Sequence, residues 1–158
     1  MDISIIKDEW RGGNGKWYSL SDIIGIIKSS PSHDIHIGTD SHSRDGKWQF
    51  AVAVCLHGPG RSGTRYFFRR FKIRKDCLQT LGIRLQKEVE TSLEVATALL
   101  SVGIMRSPII HADTSTDPTQ KSFQHTSRLR NWIQGMGYEC LTKPFAWASG
   151  SVADRHAK

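Results

Sequence analysis

Two predicted β-strands and the polar turn that joins them occupy residues 35–57, IHIGTDSHSRDGKWQFAVAVCLH. The first strand covers residues 35–40, and Asp45-Gly46 in the turn is a dipeptide typical of tight connections. The second strand covers residues 48–56 and alternates bulky with small apolar residues, which is the two-residue period of a strand. These residues therefore predict an antiparallel pair of strands at the start of a sheet.

The remaining elements alternate strands with helices and predict an α/β fold. In chain order they are a short helix capped by Ser19, a third strand at 64–73, a helix at 77–101 capped by Asp76, a strand at 108–113, a helix opened by Asp117-Pro118, a strand at 138–142 and one or two helical turns at 149–158. We expect a mixed five-stranded sheet, with three antiparallel strands followed by two in a βαβ arrangement, and flanking helices.

Length and composition favour one folded, basic domain. The 158 residues fit a single domain over 1–158, with a turn-rich lead-in and short helix at 1–32 and the core at 33–158. Lys and Arg number 22 against 15 Asp and Glu, a net charge of +7 that favours an acidic partner such as nucleic acid. No apolar run approaches the roughly 20 residues that a membrane span requires, so we expect no membrane association.

The cysteines and the N-terminus predict a reducing compartment. Cys55, Cys77 and Cys140 are odd in number and far apart, which disfavours both a disulfide framework and a paired-cysteine zinc site. The N-terminus mixes acidic residues among apolar ones and lacks the basic and apolar regions of a signal peptide. We therefore expect a cytoplasmic protein.

Two carboxylates follow predicted strands at the sheet edge where α/β proteins bind ligands. Asp40 ends the first strand and Asp113 ends the fourth, so the two converge if those strands are neighbours. Close carboxylates need a cation, and carboxylate oxygens suit Mg²⁺ or Mn²⁺ better than zinc. Each aspartate could instead close a turn or cap a helix, and Asp154 could cap the last helix together with Ser151.

The order of acidic residues resembles that of the ribonuclease H-like superfamily. An Asp lies in the first strand, a Glu in the first long helix, an Asp at the end of the fourth strand and an Asp in the last helix. Individual segments are similar to its YkuK-type branch: IHIGTDS at 35–41, RLQKEVE at 84–90, IHADTS at 110–115, and KPFAWAS at 143–149 continuing to VADRH at 152–156. The resemblance runs from about His33 to the C-terminus.

This resemblance implies a nuclease that cuts RNA, DNA or an RNA:DNA hybrid with two divalent ions, Mg²⁺ or Mn²⁺. In such chemistry one ion activates a water molecule and the other stabilises the departing oxygen. The implied ligands are Asp40, which would bridge the ions, Asp113 with the helix Glu at one ion, and Asp154 at the other. The alternative is a nucleic-acid-binding module with weak or no catalysis on the same scaffold.

Helical periodicity selects the glutamate. At 100° per residue, Glu88 lies about 80° from the centre of the apolar face of its helix, whereas Glu90 lies about 120° away. A boundary position lets a carboxylate reach the sheet edge while the helix stays packed. Glu88 is therefore the expected ligand, with Glu90 as its substitute.

Basic residues of the third strand are candidates for nucleic-acid binding. Arg65, Arg70, Lys72 and Arg74 alternate with aromatic residues, and the last three share one face. The alternative is an edge strand protected from aggregation by its positive charge. A weaker candidate patch on the second long helix comprises Lys121, Arg128 and Arg130.

His111, His125 and His156 could carry protons, because imidazole titrates near neutral pH, and His156 is the first candidate because it lies two residues after Asp154. The alternative is that these histidines only fill polar positions. His33, His36 and His42 have only a loose spacing for zinc. We also expect Phe145, Trp147 and Val152 to pack the short last helix onto the sheet.

Overall fold

The computed structural model describes residues 9–60 and 63–158 of the chain, so the first residues, which bear on the cytoplasmic prediction, lie outside it. The strands are β1 (Trp10–Gly12), β2 (Trp17–Tyr18), β3 (Asp34–Arg44), β4 (Lys47–His57), β5 (Thr64–Arg74), β6 (Ile109–Ser115) and β7 (Glu139–Lys143). The helices are α1 (Leu20–Lys28), α2 (Leu81–Ser101), α3 (Phe123–Gly135) and α4 (Asp154–Ala157), with a 3₁₀ turn at Lys75–Cys77 and a π-helical segment at Ala148–Ala153 that leads into α4. No helix among these residues is long and apolar enough to cross a membrane.

All strands form one mixed sheet in the order β2-β1-β5-β4-β3-β6-β7. The three antiparallel strands β3, β4 and β5 and the parallel strands β6 and β7 confirm the predicted α/β arrangement. The lead-in adds the two short strands β1 and β2, which the sequence did not predict. Trp10 of β1 is buried in the core, and β1 pairs with Phe67 and Phe68 of β5.

The β3–β4 hairpin is longer than predicted. Both strands have 11 residues and pair along their whole length, and only Asp45 and Gly46 form the turn, with φ of 50° and 74°. Two residues with positive φ are the geometry of the tightest hairpin turns. The prediction that the strand ends at Asp40 is therefore wrong, because ladder pairing with β4 carries β3 on to Arg44.

The parallel pairing of β3 with β6 covers only three residue pairs, and beyond them the two strands are no longer paired. It covers only the residues from His36 to Gly38 on β3 and from Ile109 to His111 on β6. β6 itself continues to Ser115, so Asp113, like Asp40, lies inside a strand and not at its end. Both aspartates therefore lie just beyond the last paired residues, where the two strands separate.

The two long helices begin later than predicted. α2 begins at Leu81, where the Thr80 hydroxyl accepts a hydrogen bond from the Ile83 amide at 3.2 Å, while Asp76 forms an ion pair with Arg74. α3 begins at Phe123, and Asp117 instead accepts hydrogen bonds from the amide and hydroxyl of Thr119. At both positions the aspartate bonds to a residue two positions away, Arg74 or Thr119, and therefore does not cap the helix.

Different parts of the chain cover the two faces of the sheet. The main core lies between the large residues of the sheet, such as Ile37 and Val54, and the apolar faces of α1, α2 and α3. On the other face, Ala53 and Cys55 of β4 pack against the C-terminal segment 147–157. The alternation of bulky and small residues in β4 thus separates a helix-packing face from a face that admits backbone at close range.

The C-terminal segment lies directly on β3. A methyl group added at Gly38 would come within 2.4 Å of the Ser149 amide nitrogen, so only glycine fits there. Trp147 and Val152 pack against the sheet as expected, whereas Phe145 is 69% exposed and does not.

Two buried histidines fasten the same segment. His111 Nδ1 accepts a hydrogen bond from the Ala148 amide at 2.9 Å, and His111 Nε2 lies 2.8 Å from Nδ1 of His36. Burial followed by the neighbouring imidazole lowers the pKa of His111 to about 3, and burial also lowers that of His36. Both rings are therefore neutral, His111 carries its proton on Nε2, and it donates that proton to His36.

We predict that Gly38→Ala destabilises the protein by about 2 kcal/mol or more, because the backbone that its methyl group would strike is itself packed. Chemical denaturation monitored by circular dichroism measures this loss. Gly25→Ala is the matched control: it lies in α1 with no atom within 4 Å of the added carbon, and it should stabilise the protein by about 0.5–1 kcal/mol. Equal effects of the two substitutions would contradict the close contact at Gly38.

Candidate metal centre

Three carboxylates converge where β3 and β6 separate. One oxygen each from Asp40, Glu88 and Asp113 lies within 4.8 Å of the others. Asp40 comes from β3, Asp113 from β6, and Glu88 from α2, which crosses this end of the sheet. Asp40 and Glu88 are only 6% and 4% exposed. The structure thus brings three of the expected ligands together in a mostly buried place.

Glu88 is held by one oxygen and offers the other. Ser41 donates a hydrogen bond to Oε1 of Glu88 at 2.5 Å, and one turn further along α2 the hydroxyl of Ser92 is bonded to that of Thr39 at 2.7 Å. Oε2 of Glu88 is buried and has no hydrogen-bond partner among the described residues. A buried carboxylate oxygen without a partner costs free energy, and a cation in the cluster would remove that cost.

The pKa values of the cluster also indicate that a cation would stabilise it. Burial, followed by the repulsion of Asp113, raises the pKa of Asp40 to about 7. Burial and the charge of Asp40 raise the pKa of Glu88 well above its usual value. Without a cation Asp40 and Glu88 therefore tend to retain protons near neutral pH. A set of carboxylate oxygens is the donor set that hard divalent ions such as Mg²⁺ and Mn²⁺ prefer, so the residues present fit a divalent ion.

A second group adjoins the first and shares Asp40. It contains Asp40, His42 and Asp154, whose ligand atoms also lie within 4.8 Å of one another. Nε2 of His42 lies 3.0 Å from Oδ2 of Asp40 and 2.7 Å from Oδ1 of Asp154. Lys158 forms an ion pair with the other oxygen of Asp154 at 2.9 Å. Partial burial opposes ionisation of Asp154, but hydrogen bonds from Lys158 and His42 lower its pKa overall.

A cleft of about 450 Å³ opens above the first group. Basic side chains lie around it, namely Arg84, Lys121 and Lys143, and Lys143 Nζ is 3.3 Å from Oδ1 of Asp113. The cleft therefore has an acidic floor and a basic rim. An anionic ligand would contact the rim, while a cation on the floor would offset the carboxylates.

Two other candidates lie apart from the carboxylates. Glu90 forms an ion pair with Lys87 at 3.4 Å, and neither metal-binding group includes it. The ring of His156 stacks on Phe68 at 3.6 Å between centroids, and its Nε2 lies 3.0 Å from the Tyr66 hydroxyl. Burial, followed by the charges of neighbouring arginines, lowers the pKa of His156 to about 4. His156 therefore packs α4 against β5, and its ring does not face the cluster.

The basic residues of β5 all have intramolecular partners. Arg65 donates to the Tyr18 hydroxyl at 3.2 Å, and Arg70 donates to the carbonyl of His156 at 2.8 Å. Lys72 lies 3.8 Å from Asp45, and Arg74 is paired with Asp76. None of the four lines the carboxylate cleft. Among the described residues only β1 pairs with the outer edge of β5, which agrees with the edge-strand alternative.

Sequence reasoning missed the position of His42 between Asp40 and Asp154, and of the basic rim it named only Lys121. The pattern Asp40-Ser41-His42 was sufficient to place the acid and the imidazole on one face of a strand, since side chains alternate along β3. Arg84 and Lys143 gave no such signal, because only the packing of α2 and β7 where β3 and β6 separate brings them together.

A family model described as Ribonuclease H-like matches residues 19–158. The chain belongs to the ribonuclease H-like family. Comparison with curated proteins and with solved structures finds no significant match. Family membership agrees with the mixed sheet, and the acidic groups of this ribonuclease H-like chain could hold metal.

We predict that Asp40→Asn stabilises the metal-free protein increasingly as pH rises from 4 to about 7, and by a constant amount above that. Between its unfolded pKa of about 3.9 and its folded pKa of about 7, the carboxyl keeps its proton only in the folded state, so the wild type loses stability as pH rises through this window. The expected difference at pH 8 is about 2–4 kcal/mol, and contributions from histidines that do not contact Asp40 cancel between the two proteins.

Denaturation in chelator at several pH values measures this difference. Adding Mn²⁺ at pH 8 should stabilise the wild type more than Asp40→Asn, because the ion binds the folded protein and offsets the same charges. A difference that does not change with pH would contradict the raised pKa that burial and the neighbouring carboxylate give Asp40.

Proposed function

We propose that this ribonuclease H-like protein is a nuclease that uses two divalent ions, Mg²⁺ or Mn²⁺, to hydrolyse phosphodiester bonds in RNA, DNA or RNA:DNA hybrids. The observation that carries the proposal is the buried, unpartnered Oε2 of Glu88 within a cluster of three carboxylates. A structural carboxylate of a protein core would be hydrogen-bonded through both oxygens. A cluster left incomplete in this way favours a bound cation.

The two ion positions would share one ligand, Asp40, because it belongs to both groups of candidate metal ligands. Asp40, Glu88 and Asp113 would hold one ion, and Asp40 with Asp154 would hold the other. When bound, such ions supply an activated water molecule and stabilise the charge that develops on the departing oxygen. Ser41 fixes the orientation of Glu88, and the contact of His42 with both aspartates holds α4 beside β3.

The basic rim would bind the phosphates that flank the cut. Lys121 and Lys143 lie beside the carboxylate floor, where a phosphodiester has to enter. Arg65, Arg70, Lys72 and Arg74 on β5 could extend the contact along the strand of nucleic acid after exchanging their present partners. Phosphate contacts of this kind supply affinity and position but carry no sequence preference.

We predict that Asp40→Asn and Asp113→Asn each lower cleavage by at least about 100-fold, because each removes a charged ligand while keeping the volume of the side chain. A panel of single-stranded, duplex, hybrid and branched substrates, with Mg²⁺ and with Mn²⁺, measures the loss. Glu90→Gln is the matched control on the same helix and should retain activity, since Glu90 pairs with Lys87 outside the cluster.

Two outcomes would contradict the proposal. Full cleavage by both aspartate variants would rule out the metal centre as the catalytic site. Binding of nucleic acid in chelator, with no cleavage by the wild type of any substrate in excess Mn²⁺, would favour the binding module without catalysis. Thermal unfolding of each variant confirms that the loss of activity is not a loss of fold.

We also predict that Lys121→Gln weakens nucleic-acid binding and lowers the slope of log K against log salt by about 1, because one phosphate contact is lost. Fluorescence anisotropy over a range of salt concentrations, with Ca²⁺ in place of Mg²⁺, measures the slope. Lys28→Gln is a control of equal charge change on α1, away from the cleft, and should leave the slope unchanged. Equal slopes for wild type and Lys121→Gln would remove Lys121 from the interface, and the same titration of Arg70→Gln and Lys72→Gln tests β5.

A further inference from the structure

We propose that His42 is a metal ligand, so that one ion position is bound by two carboxylates and an imidazole and prefers Mn²⁺ or another transition ion to Mg²⁺. The neighbouring position, formed by Asp40, Glu88 and Asp113, has only oxygen donors. The inference rests on the metal binding in the proposed function and not on cleavage. It makes the two positions chemically different.

The spacing of the donor atoms suits coordination. Two ligands at adjacent corners of an octahedron, each about 2.1 Å from the ion, lie about 3.0 Å apart. Nε2 of His42 is 3.0 Å from the Asp40 oxygen and 2.7 Å from the Asp154 oxygen. An ion could therefore replace the shared hydrogen bonds with only small movements of these side chains.

The arrangement is built by the sheet and the C-terminal segment together. His42 lies in the regular part of β3, opposite Gln49 of β4, so its direction is set by the ladder. Gln49 donates to the carbonyl of Ala157 at 3.0 Å, and Arg44 donates to the carbonyl of Lys158 at 2.8 Å. These bonds hold the end of α4 against the hairpin and bring Asp154 to His42.

The donor set decides the preference. Mg²⁺ binds almost exclusively oxygen, whereas imidazole nitrogen binds Mn²⁺ and the later transition ions more readily. An imidazole placed between two carboxylates favours a transition ion relative to a site of oxygen donors alone. The other possible role of His42 is that of a hydrogen-bond donor that only holds Asp40 and Asp154 together, and the experiment distinguishes the two roles.

The test counts and characterises bound Mn²⁺ on the full chain without any substrate. Electron paramagnetic resonance of a Mn²⁺ titration gives the number of bound ions, and electron spin echo modulation detects nitrogen coordinated to them. We expect two ions in the wild type, with a ¹⁴N coupling that changes to the ¹⁵N pattern on labelling with ¹⁵N-histidine. In His42→Gln the coupling disappears and one of the two Mn²⁺ affinities falls about 10-fold or more.

Two controls sharpen the result. His125→Gln on α3, a histidine in neither metal-binding group, should leave the ¹⁴N coupling and both affinities unchanged. Mg²⁺ competition should show that the loss of affinity in His42→Gln is larger for Mn²⁺ than for Mg²⁺. If His42→Gln does not fold, the labelled wild type still decides whether histidine nitrogen coordinates the ion.

The inference is overturned if Mn²⁺ binds the wild type without nitrogen coupling, or if the coupling persists in His42→Gln. Nitrogen coupling in a wild type that cleaves no substrate would support the inference and contradict the proposed nuclease. Failure to bind Mn²⁺ at all would contradict both.

Discussion

The placement of Asp40, Glu88 and Asp113 side by side, with Asp40 and Glu88 buried, is the constraint that the surrounding structure has to balance. Burial disfavours the charged forms of these two carboxyls, the neighbouring carboxylates add repulsion that the interior screens less than water does, and together they raise the pKa of Asp40. The chain offsets part of the cost through the Ser41 hydroxyl, the His42 imidazole and the Lys143 ammonium group. None of these satisfies Oε2 of Glu88, which has no hydrogen-bond partner among the described residues, so a cation would complete the balance. Under the proposed function, stability and metal binding are therefore coupled.

The C-terminal segment links packing to this chemistry. Its first part is fixed by the bond from the Ala148 amide to His111 and by close contact with Gly38, and its last part carries Asp154. α4 has only four residues, too few to be stable alone, so these tertiary contacts determine where Asp154 lies. A change in the small-residue face of β4 would therefore act on the metal centre without touching a ligand.

The sequence predicted the convergence of the candidate ligands better than the boundaries of the elements around them. The helical period placed Glu88 towards the sheet, because that period expresses which face is buried, whereas Asp40 and Asp113 were expected at strand ends and converge from inside two neighbouring strands. The starts of α2 and α3 were wrong because Asp76 and Asp117 bond within turns. Strands as short as β1 and β2 are too short to show a period. The basic rim depends on packing between distant segments, which no single stretch of sequence shows.

The early end of the pairing between β3 and β6 has an evolutionary consequence. The carboxylate floor lies on two strands and a long helix, whose geometry is shared with the core, whereas Lys121 lies in the connection before α3 and Lys143 at the end of β7. If the chain is the proposed nuclease, substitutions at the rim can change which polyanion is accepted without moving the floor. Under that function, selection can alter substrate preference at the rim while it preserves the carboxylate cluster on the two strands and the helix.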